Sequence, residues 1–92
     1  MKLTDEYIKS KIRDIKHIEA FPGKMVICIL TLENGYVVTG ESACIDMLDF
    51  DLEIGKQLAY KNAESKVWVL EGYLMQQKMY EELLGDVKKT LK

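Results

Sequence analysis

Three side chains of this 92-residue chain have the chemistry of a nucleophile and its base. Ser42 and Cys44 carry the nucleophilic groups, and His17 is the only histidine that could take a proton from either. A nucleophile elbow has a glycine two residues before its serine and another two residues after it. Here Gly40 precedes Ser42, but Cys44 stands where the second glycine would be. No acidic side chain is placed to orient the histidine. The pattern therefore favours structural roles at a strand end over a hydrolase, and no catalytic residue is assigned.

Acidic side chains near the middle of the chain resemble the ligands of a divalent cation. The residues are Asp46, Asp49, Asp51 and Glu53. Hard cations take oxygen ligands, but the central glycine and the terminal glutamate of a calcium-binding loop are missing. Capping of the next helix, by Asp49 or Asp51, explains the cluster better. We therefore expect no metal site and no cofactor.

Polar and aromatic side chains on and near a long predicted helix form a candidate binding set. Aromatic faces stack on bases, and asparagine or lysine can contact polar edges and phosphates. Tryptophan and tyrosine are equally the usual anchors of protein interfaces, and a core or interface role is favoured over a small-molecule site. Ligand or partner binding is assigned to Glu41, Ser42, Lys56, Tyr60, Asn62, Trp68 and Tyr73.

The composition limits the class of protein. A hydrophobic content of 48% with 30% charged residues is typical of a globular protein, and we expect one domain over residues 1–92. A net charge of −2 argues against general nucleic-acid binding. The charged N-terminus predicts no signal peptide, and the longest apolar run, 25–30, is too short to span a membrane. Cys28 and Cys44 match no zinc site or disulfide framework, which favours a reducing cytoplasm.

The N-terminal region predicts a short helix. Thr4 is a good N-cap, and isoleucines at 8, 12 and 15 recur at helical spacing, which predicts a helix over 3–15. Residues 16–21 could extend this helix or form a strand. Phe-Pro-Gly-Lys at 21–24 fits a type II turn, which favours a strand over 17–21.

Two further strands are predicted around an Asn-Gly pair. Asn34 and Gly35 separate two apolar runs, which predicts strands over 24–33 and 36–42 joined by a type I′ turn with positive φ at both residues. The first of these strands is apolar on both faces, whereas a half-buried strand alternates apolar with polar residues. We expect a helix over one face and a second helix or a partner subunit over the other. Ile27 and Ile29 are therefore assigned to an oligomer interface.

Residues 51–84 predict one long helix. Apolar side chains recur at helical spacing throughout, while Gly72 allows a bend or break and Gly85 predicts the C-terminal stop. An unbroken helix of this length would span about 50 Å, whereas a compact chain of this size has a radius of gyration of about 12–13 Å. The helix therefore either bends near Gly72 or packs its far end on another copy. The oligomer interface is extended to Met75, Met79 and Leu83.

Segments of the chain match a known family in order and at near-constant spacing. The chain resembles the phage Gp49/Gp66-like family over roughly residues 21–75. The matching segments are Phe21-Pro22-Gly23, Leu30-Thr31-Leu32-Glu33-Asn34-Gly35, Thr39-Gly40-Glu41-Ser42-Ala43-Cys44, Phe50-Asp51, Glu53-Ile54-Gly55, Ala59-Tyr60, Asn62-Ala63, Trp68 and Leu70-Glu71-Gly72-Tyr73-Leu74. The family carries no established activity, so the resemblance implies a phage or prophage origin and little about chemistry.

These observations predict an α+β fold, with a short N-terminal helix, a three-stranded antiparallel meander and a long C-terminal helix, assembled as a homo-oligomer. The favoured function is a non-enzymatic phage accessory protein that binds a host protein in the host cytoplasm. One alternative is a sponge that sequesters a nucleotide signal of host defence in pockets between subunits. A hydrolase using Ser42 or Cys44 ranks last.

Overall fold

The computed structural model describes the fold of residues 2–90 and the side chains of residues 2–85. It contains helix α1 (Asp5–Ser10), strands β1 (Ile12–Phe21), β2 (Met25–Leu32) and β3 (Val37–Ala43), a 3-10 turn (Met47–Asp49) and helix α2 (Leu52–Thr90). The strands form one antiparallel sheet in the order β1-β2-β3. The predicted α+β class, with its short first helix, meander and long last helix, is confirmed.

Helix α1 is shorter than predicted, because the residues after Lys11 join the sheet. Thr4 caps the helix as expected, since its hydroxyl accepts a hydrogen bond from the Tyr7 N–H at 3.1 Å. Ile12 lies opposite Leu32 in β2, and a bulge follows it in β1. The bulge places Ile12 and Ile15 on the same face although they are three residues apart, which imitates helical spacing. The prediction of helix over residues 12–15 is therefore wrong, and 16–21 is strand.

The turn between β1 and β2 has the predicted form. The Lys24 N–H donates to the Phe21 carbonyl at 3.0 Å, and Gly23 has a φ of +74°. A type II turn requires this positive φ at its third residue, which is why glycine stands there.

The hairpin between β2 and β3 differs from the predicted two-residue turn. Only Gly35 has a positive φ, at +91°, while the Asn34 side chain accepts a hydrogen bond from the Tyr36 N–H at 3.0 Å. The Gly35 N–H donates to the Leu32 carbonyl at 2.9 Å and the Leu32 N–H donates to the Tyr36 carbonyl at 2.8 Å, which closes a three-residue loop. Lys11 contacts this loop, since its carbonyl accepts from the Glu33 N–H and its ammonium lies 2.9 Å from the Glu33 carboxylate. The type I′ prediction is wrong, because these contacts and the Asn34 side chain stabilise a longer loop.

The core lies between one face of the sheet and both helices. Alternate residues of β2 are fully buried there against small residues of α2 and against Ile8 of α1. Gly40 of β3 allows α2 to cross closely, since a Cβ at this position would lie 2.1 Å from the Ala63 nitrogen and 2.4 Å from the Ala59 carbonyl oxygen. The helix backbone therefore rests directly on the edge strand.

Helix α2 runs unbroken for 39 residues through Gly72 and Gly85. The Asp51 side chain caps its start by accepting from the Glu53 and Ile54 N–H groups at 3.0 and 3.3 Å. The predicted stop at Gly85 is wrong, since the helical hydrogen bonding continues past it, and the chain does not break near Gly72. The molecule measures 68 × 22 × 19 Å with a radius of gyration of 18.3 Å, so the far part of α2 extends beyond the sheet.

The second face of the sheet has none of the described elements packed over it. Helix α1 shares the core face with α2, as the full burial of Ile8 in the common core shows. The prediction that a second helix of the same chain covers the other face is therefore wrong for the residues that the structure describes. Ile27 and Ile29 of β2 point to this open face, because the residues alternating with them face the core.

Candidate functional site

An open basin of about 550 Å³ lies where α1, β1 and α2 meet. Charged side chains of both signs form its walls, together with one histidine and one tyrosine. The lining consists of Asp5, Lys9, His17, Glu53, Lys56, Gln57, Tyr60, Lys61 and Glu64. Two members of the candidate binding set, Lys56 and Tyr60, are therefore brought together here.

Tyr60 enters this basin as a neutral hydrogen-bond donor. Its hydroxyl donates to the Glu64 carboxylate at 2.5 Å, one helical turn further along α2. Burial, and then the hydrogen bond to Glu64, raise the pKa of Tyr60 well above its ordinary value. A phenol in this environment positions a neighbour and does not act as a nucleophile or a base at neutral pH.

His17 contributes a buried nitrogen to the same region. Its Nε2 atom is shielded from solvent and has no hydrogen-bond partner among the described residues. His17 lies opposite Cys28 in the sheet register, on the core face, and burial raises the pKa of that thiol. A buried polar atom without a partner is uncommon in native proteins, and this nitrogen has no surface exposed to the basin.

The groups considered for a hydrolase lie on different sides of the sheet's central strand. Ser42 and Cys44 line a small groove of about 110 Å³ beside the start of α2, whereas His17 belongs to β1 and lines the basin. Strand β2 runs between them, since Ser42 pairs with Val26 and His17 with Cys28. This placement does not form the direct hydrogen bond between nucleophile and base that such chemistry needs.

The other members of the candidate binding set are dispersed. The Asn62 amide donates to the Glu41 carbonyl at 2.7 Å and so ties α2 to the edge strand β3. Trp68 is half-buried against the core, and Tyr73 is exposed beyond the end of the sheet. The seven residues therefore occupy several places on the molecule and do not line one pocket.

The open sheet face is apolar along its centre and charged at its edges. Ile27 lies between Ile18 of β1 and Glu41 of β3, and Ile29 lies between Lys16 and Thr39. Further apolar side chains continue this centre toward the turns, namely Phe21, Met25, Val37 and Ala43. The arrangement matches the apolar centre and polar rim of protein interfaces.

The extended part of α2 presents apolar side chains on two sides. Met75 faces the N-terminal segment, where it lines a groove with Leu3 and Tyr7. Met79 and Leu83 do not line this groove, and both are exposed. The sequence analysis missed Val69, which is exposed with them, although its spacing of four residues from Tyr73 carries the signal.

Two classes of site are not formed by the described part of the chain. Its histidine, cysteine and acidic side chains make no group of three that could hold a metal ion. None of its helices is long and apolar enough to cross a membrane.

Comparison with known proteins places the chain in one family. No curated protein and no solved structure matches it. The model of the phage protein (N4 Gp49/phage Sf6 gene 66) family matches residues 3–79, which is most of the chain and includes the sheet and the first 28 of the 39 residues of α2. This protein therefore belongs to the phage N4 Gp49/Sf6 gene 66 family.

Proposed function

We propose that this phage protein is a non-enzymatic binding module that acts on a host protein in the host cytoplasm, and that the open sheet face is its binding surface. The observation that carries the proposal is the row of Met25, Ile27 and Ile29 on the central strand, over which no described element packs. Contiguous apolar surface of this kind, rimmed by polar groups, marks interaction sites on small proteins.

The chemistry of this face specifies the kind of partner. The centre needs an apolar surface, and the rim offers Lys16 on one edge strand and Glu41 on the other. A partner that places an acidic group near Lys16 and a basic group near Glu41 would be favoured over one with the charges reversed. A protein surface with an apolar centre and these flanking charges satisfies both requirements.

The experiment compares two substitutions designed to preserve the sheet. Ile27→Lys places a lysine opposite Glu41, and Ile29→Glu places a glutamate opposite Lys16, so each new charge has an opposite charge across the strand. Tagged wild-type protein and variants are used to capture host proteins, which are identified by mass spectrometry. We expect one host protein to be retained by the wild type and lost with both variants.

Ile54→Glu is the matched control, because Ile54 is exposed in the first turn of α2, where an added negative charge is tolerated. The control should retain the same host protein. Capture that is unchanged in Ile27→Lys and Ile29→Glu contradicts the proposal. Self-association that is lost in those two variants, with no host protein captured, also contradicts it and assigns the face to a second copy.

The basin supports a second candidate function, the sequestration of a nucleotide. Lys9, Lys56 and Lys61 could meet phosphates, and the rings of His17 and Tyr60 line the basin beside them. One chain alone forms this basin, whereas the sequence analysis expected pockets between subunits. A thermal-shift screen with cyclic nucleotides tests it, since a ligand that binds only the folded state raises the melting temperature. No shift with the wild type, or an equal shift in Lys56→Gln and Lys61→Gln, rejects it.

A further inference from the structure

The far part of α2 carries a stripe of exposed side chains with the spacing of a coiled coil. Val69, Tyr73, Gln76, Tyr80 and Leu83 follow one another at alternating intervals of four and three residues. The apolar members are all more than half exposed, with Val69 at 71%, Tyr73 at 70%, Tyr80 at 54% and Leu83 at 64%. A repeat of this kind keeps one face of a helix turned toward a partner helix.

The stripe is separate from the part of α2 that packs within the chain. The core contacts of α2 come from Ala59, Ala63 and Val67, all fully buried. Beyond the sheet, the groove beside the N-terminal segment is lined from α2 by Glu71, Leu74, Met75, Lys78 and Glu82. None of the stripe residues belongs to either set, so the chain itself leaves the stripe without a partner among the described residues.

A second copy of this chain is the occupant that fits. A heptad-spaced stripe packs against another helix with the same spacing, and a second copy supplies one by two-fold symmetry. The stripe and its exposed neighbours Leu70, Met79 and Leu84 present on the order of 700 Å² of mostly apolar surface, close to the roughly 800 Å² per partner of a stable interface. We infer that two copies pair antiparallel through this stripe.

The antiparallel direction follows from a groove at the start of the stripe. With Gln76 at the two-fold axis, Val69 lies opposite the partner's Leu83 and Tyr73 opposite the partner's Tyr80. An open, mainly apolar groove of about 350 Å³ lies beside Val69, between the hairpin and α2, with Tyr36 and Val38 on its wall. The antiparallel pair seats the partner's Leu83 in this groove. A parallel pair would instead place the partner's Leu83 opposite Leu83, away from the groove.

The first test is the mass in solution, measured by light scattering on the full chain. We expect the wild type to have twice the mass of one chain at micromolar concentration. Tyr80→Lys should raise the dimer dissociation constant at least tenfold, because the ammonium would be buried in an apolar seam. Glu82→Lys is the matched control, since it adds a lysine outside the stripe, and it should remain dimeric. A monomeric wild type, or a Tyr80→Lys variant as dimeric as the control, overturns the inference.

The second test is cross-linking, and it separates the two directions. In a Cys44→Ser background, Val69→Cys and Leu83→Cys variants are mixed and oxidised, while Cys28 stays buried in the core. The antiparallel pair predicts a mixed disulfide dimer, and little cross-linking of Leu83→Cys alone. Efficient cross-linking of Leu83→Cys to itself overturns the antiparallel direction. Circular dichroism that matches the wild type excludes unfolding as the cause of any loss. The inference does not depend on the proposed function, since the open sheet face takes no part in it.

Discussion

The backbone of Ala63 in α2 lies directly against Gly40 in β3, so close that a single methyl group on Gly40 would overlap the Ala63 nitrogen at 2.1 Å. This contact fixes where the long helix crosses the sheet. The Ala59 carbonyl oxygen, one helical turn before Ala63, would lie 2.4 Å from the same added methyl group. Both neighbours are backbone atoms, so neither can move aside by changing a rotamer.

Gly40→Ala is expected to lower the free energy of unfolding by about 3 kcal/mol, the upper end of the range for overpacking. The added Cβ must push the helix and the edge strand apart, and the whole core lies between them. Urea unfolding monitored by circular dichroism measures the change. A loss below about 1 kcal/mol would show that the two elements can separate without disturbing the core.

Gly72→Ala makes the same substitution where a Cβ has room, and it is expected to raise the free energy of unfolding by up to about 1 kcal/mol. Gly72 lies inside α2, and a Cβ there would meet nothing within 4 Å. Alanine therefore adds helix propensity without a clash. The same urea titration measures the gain, and a destabilised variant would indicate that the helix needs a glycine there.

Asn62→Ala is expected to lower the free energy of unfolding by about 1 kcal/mol, because the Glu41 carbonyl loses its donor. The prediction distinguishes a structural role from the binding role assigned from the sequence. Glu64→Gln, two residues further along α2 and on the side that faces the basin, leaves this contact intact and serves for comparison. Unchanged stability in Asn62→Ala would return Asn62 to the candidate binding set.

The stability of the fold is expected to fall as the pH rises past 10. Burial and the hydrogen bond to Glu64 raise the pKa of Tyr60 above its ordinary value of 10.0, so the unfolded chain releases this proton first. The stabilisation is fully present below the unfolded pKa and is lost as the pH rises through the folded one. The hydrogen bond to Glu33 also raises the pKa of Lys11, which adds a loss in the same direction above 10.5.

Tyr60→Phe should therefore reduce the loss of stability at alkaline pH without abolishing it. Tyr73→Phe removes one hydroxyl from an exposed tyrosine and serves as the control. Thermal unfolding followed between pH 8 and pH 11 gives the measurement. Equal slopes for wild type and Tyr60→Phe would contradict the assignment.

The sequence predicted the fold where local signals agreed with the tertiary contacts. Pro22 and Gly23 define a turn by their own backbone preferences, and the small residues of α2 indicate a close crossing. The helix boundary after Ser10 could not be predicted from spacing, because a bulge in β1 gives Ile12 and Ile15 the separation of helical neighbours.

The candidate sites were harder to predict than the fold, since they depend on which residues share a face. Lys56 and Tyr60 come together because they lie one turn apart on α2, whereas Asn62 turns to the opposite edge of the sheet. Lys9 and His17 join the basin only through the path of α1 and β1, which no pattern around α2 indicates. Members of the candidate binding set that are close in sequence therefore face different sides of α2.

The elongated outline of the molecule affects how it behaves in ordinary sizing experiments. A particle of 68 × 22 × 19 Å experiences more friction than a sphere of equal mass. On a gel-filtration column calibrated with spherical standards, one copy should elute early and imitate a larger species. The stoichiometry of this protein must therefore come from scattered light or sedimentation equilibrium, whose results do not depend on shape.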